Sequence, residues 1–198
     1  MSIRTLDERQ LGLRRSQVVN SLVILLVAAG LMGIGVLMRS STLAATQELV
    51  QDEAGIRAQI PVNWLVDTDD PRFVLQAQDP SAVPFKTTLR VAILPVGEGA
   101  SPRNVVEFLI LQRAALSAFR VLSIESITLN EQSALEMNYA YVEEEPNPFL
   151  SALPVVVQGR DVVVIRGQQA IVATFLEERS RFIANEFLFD NFLTTLEY

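Results

Sequence analysis

From Ser16 to Met38 the chain runs for 23 residues without a charged side chain. At about 1.5 Å of rise per residue, a helix of that length crosses the ~30 Å hydrocarbon core of a bilayer with room for tilt. Its centre, Leu22 to Leu31, is almost wholly Leu, Val, Ile and Ala. A helix on the surface of a globular domain keeps a polar stripe, and none is present there. The segment therefore reads as a transmembrane helix over 16–38, and every other element must be placed relative to it. The alternative, a cleaved signal peptide, has a shorter apolar core of about 7–15 residues ending at a small-x-small site. Here Arg39 follows the run directly, and Thr42-Leu43-Ala44 is a poor cleavage site.

Arg4, Arg9, Arg14 and Arg15 precede the span, and Arg39 alone flanks it on the far side. Basic residues stay on the cytoplasmic side, so residues 1–15 form a cytoplasmic tail and the C-terminal part lies outside the cytoplasm. Thr5-Leu6-Asp7-Glu8 has the spacing of a capping box, which starts a short helix at Leu6. Within the span, Ala29 and Gly33 form a small-xxx-small pair with Gly30 beside them. This pattern lets a second helix approach closely in lipid, although Gly and Ala are common in membrane helices in general.

Beyond residue 39 lie 21 of the 23 acidic residues and 11 of the 16 basic ones, a balance of −10. Such a domain repels nucleic acid and anionic headgroups. The chain has no cysteine and no histidine. Disulfides, thiolate metal sites, a thiol nucleophile, the usual general base and the commonest transition-metal ligand are thereby excluded. No cofactor is called for, and no enzymatic activity is expected.

Residues 39–54 read as a stalk, helical over 41–53 with Leu43, Leu49 and Val50 among polar residues. After Gly55 the apolar period changes from helical to alternating. Ile56, Ala58 and Ile60 predict a strand ended by Pro61, with Trp64 in the following turn. Phe73, Leu75 and Ala77 predict a second strand, and Leu89, Val91 and Ile93 a third. Ser101-Pro102 is a helix start, with a capping hydroxyl and then proline in the first turn. That helix is expected to reach about Phe119, with Val105, Leu109, Ala114 and Leu116 on its buried side. Strands follow over Val121–Leu129 and through Leu135, Met137, Tyr139 and Tyr141, joined by a turn at Asn130–Ser133. Val155–Ile165 is a strand pair or one strand bent at Gly159. Gln169–Leu176 follows through Gly167, and a last helix runs from about Arg179 to Leu196 with Phe182, Phe189, Phe192, Leu193 and Leu196. The expected fold class is α/β of the α+β kind, a mostly antiparallel sheet covered on its faces by two helices, over residues 55–198.

On these pieces the chain resembles the PsbP-like family. The resemblance is carried by Ile60-Pro61-Val62-Asn63-Trp64, by Phe73, by the mid-chain helix with Arg113, by Phe119-Arg120-Val121, by Leu153 to Gly159, by the Gly167 turn and by the phenylalanine-rich last helix. It implies an α/β/α sandwich, shared with related nuclear-transport and bacterial envelope proteins, and a non-enzymatic module that docks on membrane complexes or binds a ligand. Asn63 stands where the family prefers glycine, and asparagine tolerates the same left-handed turn. The photosystem members' histidine-dependent and lysine-rich contacts have no counterpart, since histidine is absent and Lys86 is the only lysine. A role at an oxygen-evolving centre is not carried over.

Few residues stand out as sites. Asp67, Asp69 and Asp70, with Asp79 nearby, supply oxygens of the kind calcium takes, but without the glycine and terminal glutamate of an EF-hand loop. A solvated acidic turn is the ordinary reading. Glu143 to Glu145 is a charged loop before it is a docking surface. Trp64, Tyr139 and Tyr141 could line a groove, but their strand and turn positions read first as core packing, and Lys86 reads as an exposed charge. Two functions fit. The first is a non-catalytic, single-pass accessory subunit of a larger membrane protein complex, with other membrane subunits and the bilayer as partners. The second is a membrane-anchored ligand-binding or sensing module of the cell envelope, which requires a sizeable pocket between sheet and helix.

Overall fold

A computed structural model describes residues 24–25, 46–52, 54–67, 69–144 and 153–198. Ile24 and Leu25 are helical. The rest of the 16–38 span, the Leu6 helix start and the Ala29, Gly30 and Gly33 face lie outside the described residues. No helix among the described residues is long and apolar enough to cross a membrane. The chain divides into two units between Ala45 and Thr46, and the second is the folded domain described below.

Among the described residues the domain holds nine strands and two helices: β1 (Thr46–Gln51), β2 (Ile56–Pro61), β3 (Leu65–Asp67), β4 (Leu75–Gln78), β5 (Thr88–Pro95), α1 (Pro102–Arg113), β6 (Arg120–Leu129), β7 (Gln132–Glu143), β8 (Val155–Arg166), β9 (Gln169–Glu178) and α2 (Phe182–Thr195). Strands β3 to β9 form one sheet in the order β3-β4-β5-β9-β8-β7-β6, antiparallel throughout. The last strand, β9, sits at the centre between β5 and β8 and is buried from Ala170 to Glu177. Its apolar run has residues for both faces, which is what a central strand needs.

Alternation along each strand divides the interior into two cores. Leu75, Ala77, Leu89, Val91, Val162, Val164, Ile171, Ala173 and Phe175 face α2, whose Phe182, Phe189, Phe192 and Leu193 pack onto them. The rings of Phe175, Phe182, Phe189 and Phe192 stand 5.5–6.3 Å apart between successive centroids. Met137, Tyr139, Tyr141, Val157, Val163, Val172 and Leu176 face the other way, under Val105, Val106 and Leu109 of α1. The helices thus cover opposite faces, as expected.

Two expectations fail here. The 41–53 stalk helix is absent over its described part: Thr46–Gln51 is a strand, paired antiparallel with β2 from Thr46↔Pro61 to Gln51↔Ile56. Its residues Thr46, Gln47, Glu48, Leu49 and Val50 lack a helical apolar stripe, and the turn at Gly55, with φ 66°, folds them back onto β2. Ile56, Ala58 and Ile60 on the partner strand then seat the hairpin on α2. Helix α1 ends at Arg113 rather than Phe119. Ala114 and Leu116 are exposed, and Val106 takes a buried place instead. After Arg113 the chain turns back, fixed by Leu116 N–H to Arg113 C=O (2.9 Å) and Val142 N–H to Ser117 C=O (2.8 Å). The helix start is as read: Ser101 caps it reciprocally with Asn104, and Pro102 opens it.

Other features follow the sequence closely. Asn63 has φ 70°, the left-handed turn expected of it, and Asn130 and Glu131 (φ 48° and 65°) make the tight β6–β7 turn. β3, three residues long, has no period to betray it. β8 is one unbroken strand through Gly159, which pairs with Tyr139. A Cβ on Gly159 would overlap Cζ of Tyr139, so the tyrosine ring occupies the space a side chain would take. Gly159→Ala is expected to destabilise the domain by about 1–3 kcal/mol through overpacking. Urea melts followed by the fluorescence of Trp64, the chain's only tryptophan, check this. If the mechanism is displacement of the ring, Gly159→Ala combined with Tyr139→Leu costs less than the sum of the two single changes.

Candidate functional site

A helix of 12 residues is about 18 Å long and ~10 Å across. Seven strands spaced ~4.8 Å apart make a sheet nearly 30 Å wide. On the α2 face the β1–β2 hairpin supplements the helix. On the other face α1 packs over β7 and β8, and the β5–β9 part of the sheet is left beside a cleft of about 640 Å³. Its floor is Ala92, Val172, Thr174 and Leu176, one wall is Leu109, Arg113 and Leu116, and the opposite wall is Phe73, Phe85 and Arg90. Tyr139 and Tyr141 close one end, with exposed Glu143 at the mouth.

The charges in this cleft arise from strand alternation. Leu89 and Val91 of β5 enter the α2-side core, so Arg90 between them must project to the α1 side. In β8, Arg160 faces α2 and Asp161 faces α1. Asp161 is fully buried and is held by Arg113 of α1, by Thr174 Oγ1 (2.8 Å) and by Tyr139 OH (3.4 Å). The Arg113 guanidinium also lies 4.4 Å from the Tyr139 ring centroid, a cation–π distance. Tyr139 stacks in turn on Tyr141, at 6.4 Å between centroids. Arg72 is chelated by Asp70 through Nε (2.9 Å) and a second nitrogen (2.7 Å). Arg90 stacks over Phe73 at 4.8 Å. No carboxylate among the described residues lies within ion-pair distance of it, and its Nε is buried without a hydrogen-bond partner.

Burial lowers the Arg90 and Arg113 guanidinium pKa values from their ordinary range, offset by the nearby tyrosines. Burial raises Tyr139 and Tyr141 above 10, and Tyr198 likewise. Asp70 is brought down to about 2, chiefly by the Arg72 side-chain hydrogen bond.

The residues singled out in the sequence divide sharply. Tyr139 and Tyr141 do line a groove, while Trp64 is buried in the α2-side core. Asp67, Asp69 and Asp70 do not converge on a cation position. Asp67 accepts from Asp69 N–H and from Gln76 Nε2, each at 2.9 Å, and Asp70 is committed to Arg72. No group of three acidic side chains among the described residues is arranged to hold a metal. Asp79 caps its own turn through Ser81. Lys86 is exposed and donates to the Pro80 carbonyl. Glu144 accepts from Ser117 Oγ at 3.1 Å, and Glu145 lies outside the described residues. Sequence reasoning passed over Arg90 and Asp161. Both are charges in the middle of apolar strands, and that interruption is the signal that marks them. A wider depression of about 900 Å³ lies between Phe85, Leu153 and Arg179. Glu143, Glu144 and Arg179 on its rim are exposed and Glu178 is half-buried against Arg181, whereas the α1 cleft gathers arginines and tyrosines against apolar walls.

Two outcomes follow. Arg113→Met leaves Asp161 buried without its cation and is expected to cost about 3–5 kcal/mol in a urea melt, with Asp161→Asn in the same chain restoring part of the loss. In a spectrophotometric titration the three tyrosines of the folded protein stay less than half ionised at pH 10, whereas in urea about half ionise. The unfolded chain releases these protons first, so stability is full below about pH 10 and falls as the pH rises above it.

No family model and no curated relative matches the chain. Solved structures do match. A cyanobacterial PsbP (CyanoP) from Synechocystis sp. PCC 6803 superposes with a TM-score of 0.56 at 12% identity, covering 78% of this chain and 92% of its own. LpqN of Mycobacterium tuberculosis, involved in cell envelope biogenesis, gives 0.51 at 14%, covering 76% and 88%. The Saccharomyces cerevisiae Ran-binding protein Mog1p gives 0.51 at 9%, covering 77% and 94%. The folded domain of this chain, from Thr46 onward, has the α+β fold of these PsbP, LpqN and Mog1p structures.

Proposed function

We propose that the chain is a non-catalytic, membrane-anchored binding module whose outer domain takes a ligand in the cleft between α1 and the sheet. The observation that supports this most is the cleft itself. At about 640 Å³ it falls in the range of small-molecule sites, and it combines apolar walls with a few converging polar groups. The 16–38 segment supplies the anchor in this reading, with the N-terminus cytoplasmic. PsbP, LpqN and Mog1p bear on the fold and leave the ligand open.

A second reading, an accessory subunit docked on a membrane complex, is favoured by a different observation. Phe108 and Leu111 on the outer side of α1 are 53% and 76% exposed, and the edge strand β6 exposes Leu122 and Ile124. Exposed large apolar side chains of this kind are typical of contact surfaces when they form a contiguous patch.

Native mass spectrometry of the gently extracted full chain tests the first reading. A retained compound of small-molecule size is expected, and it should be lost when Leu116 at the cleft wall is changed to Trp. A bare chain in the spectrum, together with no response of cleft resonances to a fragment library, would sink it. The second reading predicts that other subunits co-migrate on a native gel, and migration as a lone monomer counts against it.

A further inference from the structure

We infer that the cleft recognises a small organic anion, one carboxylate or phosphate group held by Arg90 with a planar or apolar body against Phe85 and Tyr141. The inference rests on the ligand-binding reading above and specifies its chemistry.

Three arginines reach the cleft, and two are already neutralised by their own carboxylates. Asp70 chelates Arg72, and Asp161 holds Arg113 with Thr174 and Tyr139 as further donors. Arg90 remains, with no ion-pair partner among the described residues and a buried Nε that donates to nothing. A buried donor without an acceptor has lost its water and gained nothing in return, and the loss is greater when the donor is charged. The positive charge is further confined by burial in a domain that is otherwise acidic. An oxyanion entering beside Arg90 supplies the missing acceptor, and a charge-assisted hydrogen bond there is about twice as strong as a neutral one. Glu143, at the mouth, is exposed and makes no contact with Arg90, so it does not fill the role. The aromatic side chains set the rest of the ligand. Phe73 is taken up by Arg90 at 4.8 Å and Arg72 at 5.5 Å from its ring centroid, so Phe85 and Tyr141 supply the remaining flat surface lining the cleft.

The test uses the full chain in non-ionic detergent, titrated with phenyl phosphate, benzoate and the neutral isostere benzamide. The readout is the Arg Nε–H resonances, with that of Arg90 assigned by its loss in Arg90→Met. The expected result is saturable binding of an anion that shifts the Arg90 signal and is weakened about tenfold or more by Arg90→Met. The exposed-wall variant Leu116→Trp should weaken it as well, which keeps the test valid should Arg90→Met fold poorly. Preference between phenyl phosphate and benzoate distinguishes the two oxyanions. If benzamide binds as tightly as the anions, or Arg90→Met leaves anion affinity unchanged, the anion inference is overturned and the ligand-binding reading stands. If none of the three saturates up to on the order of 10 mM, too weak for specific recognition, the anion inference is overturned, and the ligand-binding reading falls only if the native mass spectrum also shows a bare chain and the fragment library gives no response.

Discussion

Two adjacent residues in the middle of β8, Arg160 and Asp161, hold the layers of this domain together. Strand alternation sends them to opposite faces. Asp161 takes Arg113 at the end of α1. Arg160 reaches Glu136 of β7 at 2.8 Å and Asp190 and Glu186 of α2 at 2.7 and 3.2 Å, and lies 5.3 Å over the Phe189 ring. Burial lowers the Arg160 pKa, but its hydrogen bonds to Glu136 and Asp190 outweigh that and leave it raised. Each helix is thus pinned at one point by an ion pair the sheet has partly dehydrated. Such pairs add little net stability over apolar packing, but losing either partner leaves a stranded charge, so the geometry they select is strongly enforced. A third cluster does the same at the α2 entrance. Fully buried Glu177 accepts from Thr87 Oγ1 and Asn185 Nδ2, both at 2.7 Å, and pairs with Arg181 at 2.9 Å.

The two faces are fixed to the same standard but covered to different extents. On the α2 side the hairpin extends the cover, and the chain end closes it through Arg57 and Glu197, which exchange backbone hydrogen bonds at 3.0 and 2.8 Å. On the α1 side, among the described residues, one short helix provides the cover. The cleft is the geometric remainder, and its chemistry is what alternation leaves on that face of β5, β7 and β9: Arg90, the two tyrosines and Thr174. Gly159 contributes by having no side chain, since its vacancy admits the Tyr139 ring that carries Arg113 and leads on to Tyr141.

How much of this was legible in the sequence depends on the range of the forces involved. Strands β2, β5, β7 and β9 and helix α2 declared themselves because each buries a regular stripe, and the stripe is written locally. The N-terminus of α1 was equally plain, because a capping serine and a first-turn proline act within four residues. β1 was misread as helix because it is mostly exposed and gains its stability from pairing with β2, a contact its own sequence does not encode. The C-terminus of α1 was placed six residues late, because continued helical propensity was set against a turn fixed from outside by the Ser117–Val142 contact. The site was read only in part: Tyr139 and Tyr141 were noticed as aromatics, while Arg90 and Asp161 passed as ordinary charges among apolar neighbours.

The sequence by itself determined the alternating and helical periods, the capped start of α1, the left-handed turn at Asn63, the two-helix antiparallel class and the absence of thiol and imidazole chemistry. These rest on the properties of single residues and near neighbours. Only the tertiary structure decided that β9 inserts between β5 and β8, that Arg113 finds Asp161 48 residues away, and that Arg90 has no ion-pair partner among the described residues, on the part of the sheet beside α1. Pairing of distant strands and neutralisation of buried charges depend on which segments meet, and the chain settles that only when the whole sheet closes around its last strand.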